Sequence, residues 1–306
     1  MLLKSKLPDV GTTIFTVMSQ LASQYNAINL SQGFPDYDCS PQLVELVNRN
    51  MKKGYNQYAP MAGVLSLRER IAAKQEQLHR AKYDPETEIT ITAGGTQALF
   101  TSLTCVIQPD DEVIIFEPAY DSYAPTVTLL GGRVKPFELS PPDYKIDWQM
   151  VSKLVSPKTR MIILNSPNNP TGTTLNAEDI DELIRITHNS DILILSDEVY
   201  EHLVYDGKEH LSISRYPELK NRSFITASFG KLFHTTGWKV GYCLAPGWLM
   251  TEFRKVHQFE VFSVNTPVQY AISEFMQNPS NYLEVSAFFQ KKKDFFCSLM
   301  KKTRFD

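Results

Sequence analysis

Between residues 88 and 227 the chain repeats one pattern: a short aliphatic and β-branched run, a polar turn, an amphipathic stretch, then the next run. The runs are Glu88-Ile-Thr-Ile-Thr92, Glu112-Val-Ile-Ile-Phe116, Arg160-Met-Ile-Ile-Leu164, Asp191-Ile-Leu-Ile-Leu195 and Ser223-Phe-Ile-Thr-Ala227. Helical periodicity fills the intervals at about 96–107, 121–130, 147–155 and 176–189. Runs that are apolar at nearly every position predict strands buried on both faces. Their separation by helices predicts an α/β fold with a mainly parallel central sheet covered by helices on both faces. Ligands of such sheets bind at the carboxyl ends of the strands, so the residues that follow each run are where chemistry belongs.

The rest of the chain limits what surrounds that sheet. Its 306 residues are ample for a large core. With 42% apolar and 21% charged residues the composition is that of a folded soluble protein. A net charge of −3 gives no general electrostatic reason to bind nucleic acid or an anionic membrane. The basic groups Lys291-Lys292-Lys293 and Lys301-Lys302 fall in a helical pattern and read as a solvated face. Four cysteines lie far apart, as reduced thiols of a cytosolic protein do, with no spacing suited to a metal. No secretory apolar segment and no membrane-length run is visible, so a cytoplasmic location is expected. Residues 1–60 carry little strand signal, and 280–304 predict one long helix.

Five stretches follow run ends or lie near them. Thr92-Ala-Gly-Gly-Thr-Gln97 opens a helix whose free N–H groups suit an anion, although a plain helix start fits it as well. It matches neither the nucleotide P-loop nor the dinucleotide glycine fingerprint. Tyr120, in Glu117-Pro-Ala-Tyr120, either closes the core or stacks on a flat heterocycle. Asn165-Ser-Pro-Asn-Asn-Pro-Thr-Gly172 is a stiff turn in which the Asn169 amide is held ready to donate. Asp197, directly after an all-apolar run, either caps a helix or meets a cation such as a protonated ring nitrogen. Ala227-Ser-Phe-Gly-Lys231 with Thr236-Gly-Trp-Lys-Val-Gly241 surrounds a lysine with small and apolar residues. Burial there would lower its pKa and leave a nucleophilic amine, whereas a surface lysine in a glycine-rich loop is the ordinary reading of that stretch alone.

A phosphate cradle, a stacking ring, an amide, an acid and an amine together match the groups of pyridoxal 5′-phosphate. On these stretches, with Asn29-Leu-Ser-Gln-Gly-Phe-Pro-Asp36 and Asn56-Gln-Tyr58, the chain resembles the fold type I aminotransferases. It is most similar to the class I/II branch that contains methionine aminotransferases and kynurenine–glutamine aminotransferases. The resemblance runs from about residue 10 to the last residue.

The resemblance implies a pyridoxal-phosphate transferase large domain over 41–279, an N-terminal arm with the substrate loop over 1–40, and a helix over 280–306 that leads into the rest of a small domain. It implies that Lys231 joins the cofactor aldehyde as an imine and carries the proton, that Asp197 pairs with the ring nitrogen, and that Asn169 and Tyr200 hold the phenolic oxygen. Tyr120 stacks on the ring, while Gly95, Thr96, Gln97, Ser228 and Lys239 hold the phosphate. Tyr58 matches the tyrosine that reaches across a homodimer to the other subunit's phosphate. Gly33 and Asn169 face the substrate, with Phe15 and Phe34 as candidates for an apolar side-chain pocket. Family members carry a carboxylate-gripping arginine in a segment that would follow Asp306, so the chain is expected to be C-terminally truncated, with an incomplete small domain and with Arg304 a poor substitute.

The expected activity is transfer of the amino group of methionine, or of an aromatic or glutamine-like donor, to a 2-oxo acid. Two alternatives are a cysteine-conjugate β-lyase using the same residues and a cofactor-binding fragment or pseudoenzyme without turnover. No metal, nucleic acid or membrane partner is expected.

Overall fold

The computed structural model describes residues 4–33 and 37–304. In chain order these form α1 (Ile14–Gln24), α2 (Pro41–Lys52), α3 (Leu65–His79), β1 (Ile89–Thr92), α4 (Gly95–Thr104), β2 (Glu112–Glu117), α5 (Tyr123–Leu129), β3 (Arg133–Glu138), α6 (Trp148–Leu154), β4 (Thr159–Asn165), α7 (Ala177–Thr187) and β5 (Leu193–Asp197). They continue with α8 (Pro217–Lys220), β6 (Ser223–Ser228), α9 (Phe229–Leu232), β7 (Gly241–Leu244), α10 (Gly247–Glu260), α11 (Thr266–Phe275), α12 (Ser280–Leu283) and α13 (Val285–Met300).

The strands make one sheet of seven in the order β1-β7-β6-β5-β4-β2-β3. Strands β2 to β6 pair in parallel, and β7 runs antiparallel between β6 and β1. The expected mainly parallel sheet is therefore the one observed. Because side chains alternate along a strand, each central strand feeds two cores. Ile114, Ile162, Ile194 and Ile225 pack on one face with Leu67 and Ile71 of α3, Ile180 and Leu183 of α7, and Ile272 of α11. Ile115, Ile163, Leu195 and Phe224 pack on the other with Leu99 of α4, Val127 of α5 and Phe253 of α10. Burial on both faces is why these strands lack the alternating polarity of a one-sided sheet.

Three elements differ from the sequence reading. Strand β3, Arg-Val-Lys-Pro-Phe-Glu, lies at the sheet edge. Its charges and its proline belong to an edge position and hide it among loop-like sequence. Strand β7 is only four residues long, although all four are buried. It is a strand because β1 and β6 flank it, and a segment this short leaves no periodicity to read. The helix expected over 280–304 is two helices broken at Glu284. Tyr282 is buried there, with its hydroxyl 3.0 Å from Gln77 Oε1, which anchors α12 to α3.

Helix α2 packs along α11, where the Asn50 amide donates to Glu274 Oε1 at 2.8 Å. Helices α1 and α13 contain no buried residue. All four cysteines are free thiols. Among the described residues no helix is long and apolar enough to cross a membrane.

Candidate active site

The parallel strands end along one edge of the sheet, and the antiparallel β7 begins there. That edge forms the floor of a cavity of about 510 Å³ lined by Gly94, Gly95, Thr96, Tyr120, Asn169, Asp197, Tyr200, Ser228, Lys231 and Lys239, among others. Register explains the convergence. Asn165 lies beside Asp197, Asp197 beside Thr226, and Gly241 between Thr92 and Ser228. Residues up to 149 positions apart, from Thr92 to Gly241, are thus side by side through backbone pairing alone.

Asp197 closes β5 with both carboxylate oxygens occupied. The Tyr123 hydroxyl donates to Oδ2 at 2.6 Å and the Val199 N–H to Oδ1 at 3.1 Å. The residue is 4% exposed. Burial pushes its pKa up to about 6, against the two hydrogen bonds and the nearby Lys231, which hold it down. Among the described residues no lysine or arginine is ion-paired with the carboxylate, and its position on the cavity floor leaves it available to a cation brought by a ligand.

Lys231 stands at the end of the short helix α9, with Nζ 5.7 Å from the centre of the Tyr200 ring. Its side chain is exposed and lines the cavity. The surrounding protein still removes enough hydration to lower its pKa; Asp197 opposes that shift and Lys239 adds to it. Burial raises the Tyr200 hydroxyl to about 12, reinforced by Asp197 and Tyr120, so this group remains a donor at neutral pH.

The anion cradle rests on close backbone packing. Gly94 has φ +87°, and a Cβ placed on it would lie 3.5 Å from Lys239 Nζ. A Cβ on Gly241 would approach the Ala227 carbonyl oxygen to 2.7 Å and the Gly94 carbonyl carbon to 2.8 Å, so β7 must begin with glycine for the loop to sit against it. Helix α4 has no side-chain cap, leaving the N–H groups of its first turn to a ligand or water. Gln97 does not line the cavity: its Oε1 accepts from the Ala93 N–H at 2.9 Å, and its Nε2 donates to Thr101 Oγ1 at 2.6 Å and Glu260 Oε2 at 3.1 Å. Its side chain holds the loop from behind, so only its backbone remains for an anion. The Thr96 and Tyr120 hydroxyls are 3.2 Å apart.

Asn169 is aimed by Asn165, whose Oδ1 accepts the Asn169 N–H at 2.7 Å while its Nδ2 donates to the Asp197 carbonyl at 3.0 Å. Overhead, Thr13, Phe15 and Thr16 of the α1 start and Ser31, Gln32 and Gly33 complete the lining. Tyr58 is 82% exposed, lies outside this cavity and meets the Phe262 ring edge-on at 5.4 Å. Phe34 lies outside the described residues.

Sequence reasoning passed over Tyr123, Asn165 as a tether, Val199, Asp121 and the two threonines. Tyr123 had one available signal, its place three residues after Tyr120 at the start of a helix, where both rings return to the same strand end; they meet edge-on at 5.7 Å.

The residues present suit pyridoxal phosphate. A buried carboxylate without a cation matches a protonated ring nitrogen, and an uncapped helix beside Lys239 and Ser228 matches a phosphate. An amine of lowered pKa lines the same cavity.

Comparison with known proteins agrees with this geometry. The family described as Aminotransferase class I and II matches residues 25–306. The methionine aminotransferase of Escherichia coli K12 is 46% identical over 304 residues, which are 99% of this chain and 79% of that protein. A probable N-succinyldiaminopimelate aminotransferase of Mycobacterium tuberculosis is 36% identical over 271 residues, 88% of this chain and 68% of its own. A solved Escherichia coli structure, reported with a methionine aminotransferase function, superposes with a TM-score of 0.96 at 45% identity, covering 99% of this chain and 80% of that one.

Proposed function

The chain belongs to the class I and II aminotransferases, and from that premise we propose that it uses pyridoxal 5′-phosphate to move the amino group of methionine to a 2-oxo acid. The observation that carries the cofactor assignment is the buried, cation-free Asp197 sharing one cavity with Lys231 and the α4 cradle. When bound, pyridoxal phosphate supplies an aldehyde carbon for an amine and a ring that accepts the electron pair released at the substrate Cα.

The chain's own residues do the rest. Asp197 would keep a proton on the ring nitrogen of the bound cofactor, and Tyr123 keeps Asp197 in place. Tyr200 and Asn169 would donate to its phenolic oxygen, Tyr120 would stack on the ring, and Ser228, Lys239, Gly95, Thr96 and the Gln97 backbone would hold the phosphate. Lys231 presents its amine and then moves the proton at the substrate Cα, a task suited to a lysine whose pKa is already lowered. Gly33 and Asn169 meet the substrate carboxylate, with Phe15 above as an apolar wall. The division into a cofactor domain over 41–279 and small-domain segments over 1–40 and 280–306 belongs to this proposal, as does a cytoplasmic location.

A homodimer is part of the same reading. It is supported by Tyr58 and Phe262, which are 82% and 46% exposed and present an aromatic pair away from this chain's own cavity. Sedimentation at micromolar concentration should give twice the chain mass.

The deciding experiment is a donor and acceptor panel with spectra. Pyridoxal phosphate should give a visible band that methionine converts to the amine form and a 2-oxo acid restores. No conversion with methionine but conversion with an aromatic donor or glutamine moves the donor assignment. Pyruvate and ammonia from β-chloroalanine without a 2-oxo acid identify a β-lyase. A band that no donor changes identifies a binding protein without turnover and overturns the proposal.

A further inference from the structure

Behind the cavity floor lies a second polar cluster that the reaction above does not use. The turn after β5 alternates: Asp197 and Tyr200 face the cavity, whereas Glu198 and Glu201 point into the protein and are 3% and 8% exposed. Glu198 accepts from the Ser196 hydroxyl at 2.9 Å and the Ile213 N–H at 3.0 Å, and its other oxygen is 2.9 Å from His210 Nε2. Glu201 Oε1 pairs with Lys74 Nζ of α3 and accepts from the Tyr242 hydroxyl of β7 at 3.2 Å; Lys74 Nζ also reaches that hydroxyl at 3.1 Å. Glu201 Oε2 is 3.4 Å from His79 Nε2. Burial alone would raise the Glu201 carboxyl, but Lys74, His202 and His79 outweigh it and hold the group ionised, well below its ordinary pKa.

A buried ion pair of this kind is a poor source of net stability, because the desolvation of two charges offsets their attraction and apolar replacements are often neutral. What it does supply is direction: a fully buried ammonium accepts one arrangement of its partners. Here the partners are the two segments that build the cofactor site. Glu201 adjoins Tyr200, and Tyr242 lies three residues after Lys239. We propose that the Lys74–Glu201–Tyr242 triad positions the reaction machinery by locking the Asp197–Tyr200 turn and the Lys239–Gly241 segment to α3 in one geometry. This rests on the cofactor reading above. Glu201 is thus a positioning residue, acting on the ring through Tyr200 and Asp197.

The test uses the holoenzyme and the Lys74→Met/Glu201→Gln double variant, which removes both buried charges without leaving one alone. Displacement of catalytic groups by an ångström costs about 10²-fold. The double variant should therefore keep a thermal midpoint near the parent's while kcat falls about 10- to 100-fold with little change in KM for the donor. Visible circular dichroism of the bound pyridoxal phosphate, which reads the ring's orientation in the protein, should change in shape or sign. Tyr242→Phe, which leaves the ion pair intact, should shift that spectrum in the same direction by less. Parental dichroism and parental kcat in a folded double variant overturn the proposal. If the double variant does not fold, Tyr242→Phe decides alone: a shifted spectrum supports the proposal and a parental one overturns it. A parent protein that binds no pyridoxal phosphate overturns the cofactor reading itself, and the inference with it.

Discussion

The floor and the roof of the cavity are built in opposite ways. On the floor, Asp197 ends a strand whose five residues are all buried, and both its oxygens are tied by hydrogen bonds. Its neighbours are placed by the backbone ladder of the sheet, which allows a one-residue slip only by turning every side chain to the other face. On the roof, α1 contributes Phe15 without a single buried residue of its own, and Ile28 and Leu30 beside it are 87% and 86% exposed. Helix α13 is similar: Phe295 is 67% exposed, and the helix packs through Phe288, whose ring is edge-on to Tyr37 at 5.3 Å, while Tyr37 lies against His234 at 4.5 Å. The groups proposed to hold the cofactor, which every donor needs, sit on the hydrogen-bonded sheet. The groups proposed to meet the donor's side chain sit where few contacts hold the chain, and low local stability is the usual property of elements that move on binding.

Perturbing each side in turn sharpens this contrast. Lys231→Ala should do most, removing the lysine-linked visible band and lowering kcat by about 10²- to 10⁴-fold while far-UV dichroism stays unchanged. Asp197→Asn should lower kcat by about 10²-fold through loss of charge stabilisation at the ring. It has a second signature in the cofactor-free protein. The Asp197 pKa is raised from its ordinary 3.8 to about 6, so between those values the folded protein holds a proton that the unfolded chain has released. The Asp197 contribution to stability should therefore fall as pH rises from 4 to 6, by roughly 2–3 kcal/mol, and the asparagine variant, which lacks it, should diverge from the parent by that amount over this range. Urea unfolding at a series of pH values measures the difference. Glu198 and Glu201, which are lowered, work in the opposite sense below their ordinary range, as do His202 and His257, lowered by burial to about 3 and about 4, across the whole interval; all four act equally in both proteins.

Tyr123→Phe should weaken the floor by removing a donor to the buried carboxylate, costing about 1.5–3 kcal/mol. Part of that should appear as weaker cofactor binding in a fluorescence titration. On the roof, Phe15→Ala should leave the visible band as it is and shift kcat/KM between methionine and alanine as donors by about 1–2 kcal/mol. An equal loss with both donors would show that Phe15 only packs. Phe295→Ser on α13 should change unfolding stability by less than about 0.5 kcal/mol, because the ring is largely in solvent. A larger loss would mean that this face is covered in solution.

Most of the floor is legible in the chain, since each of its groups follows a run of apolar residues and strand ends are where such sheets bind ligands. The two strands that escape notice, β3 and β7, owe their state to neighbours: one is a charged edge and the other a four-residue insert. Gln97 shows the limit of reading from motif position. It stands in the cradle sequence, yet its amide turns outward to Thr101 and Glu260 because the Ala93 N–H behind the loop needs an acceptor. Lys231 shows the same from the other side: its own stretch fits a surface lysine or a buried one, and α9 places it at the cavity, to which it presents the amine.

By itself the sequence determined the α/β architecture, the strand ends that carry chemistry and the amine, acid and amide found there, because hydrophobic periodicity and turn composition act over a few residues. Only the tertiary structure decided that Tyr123 holds Asp197, that Asn165 joins Asn169 to β5, and that Lys74 and Tyr242 meet Glu201 behind the floor. Those partners come from elements far apart in the chain. No local pattern encodes the register that brings them together, and buried polar groups reveal their roles only through the partners that satisfy them.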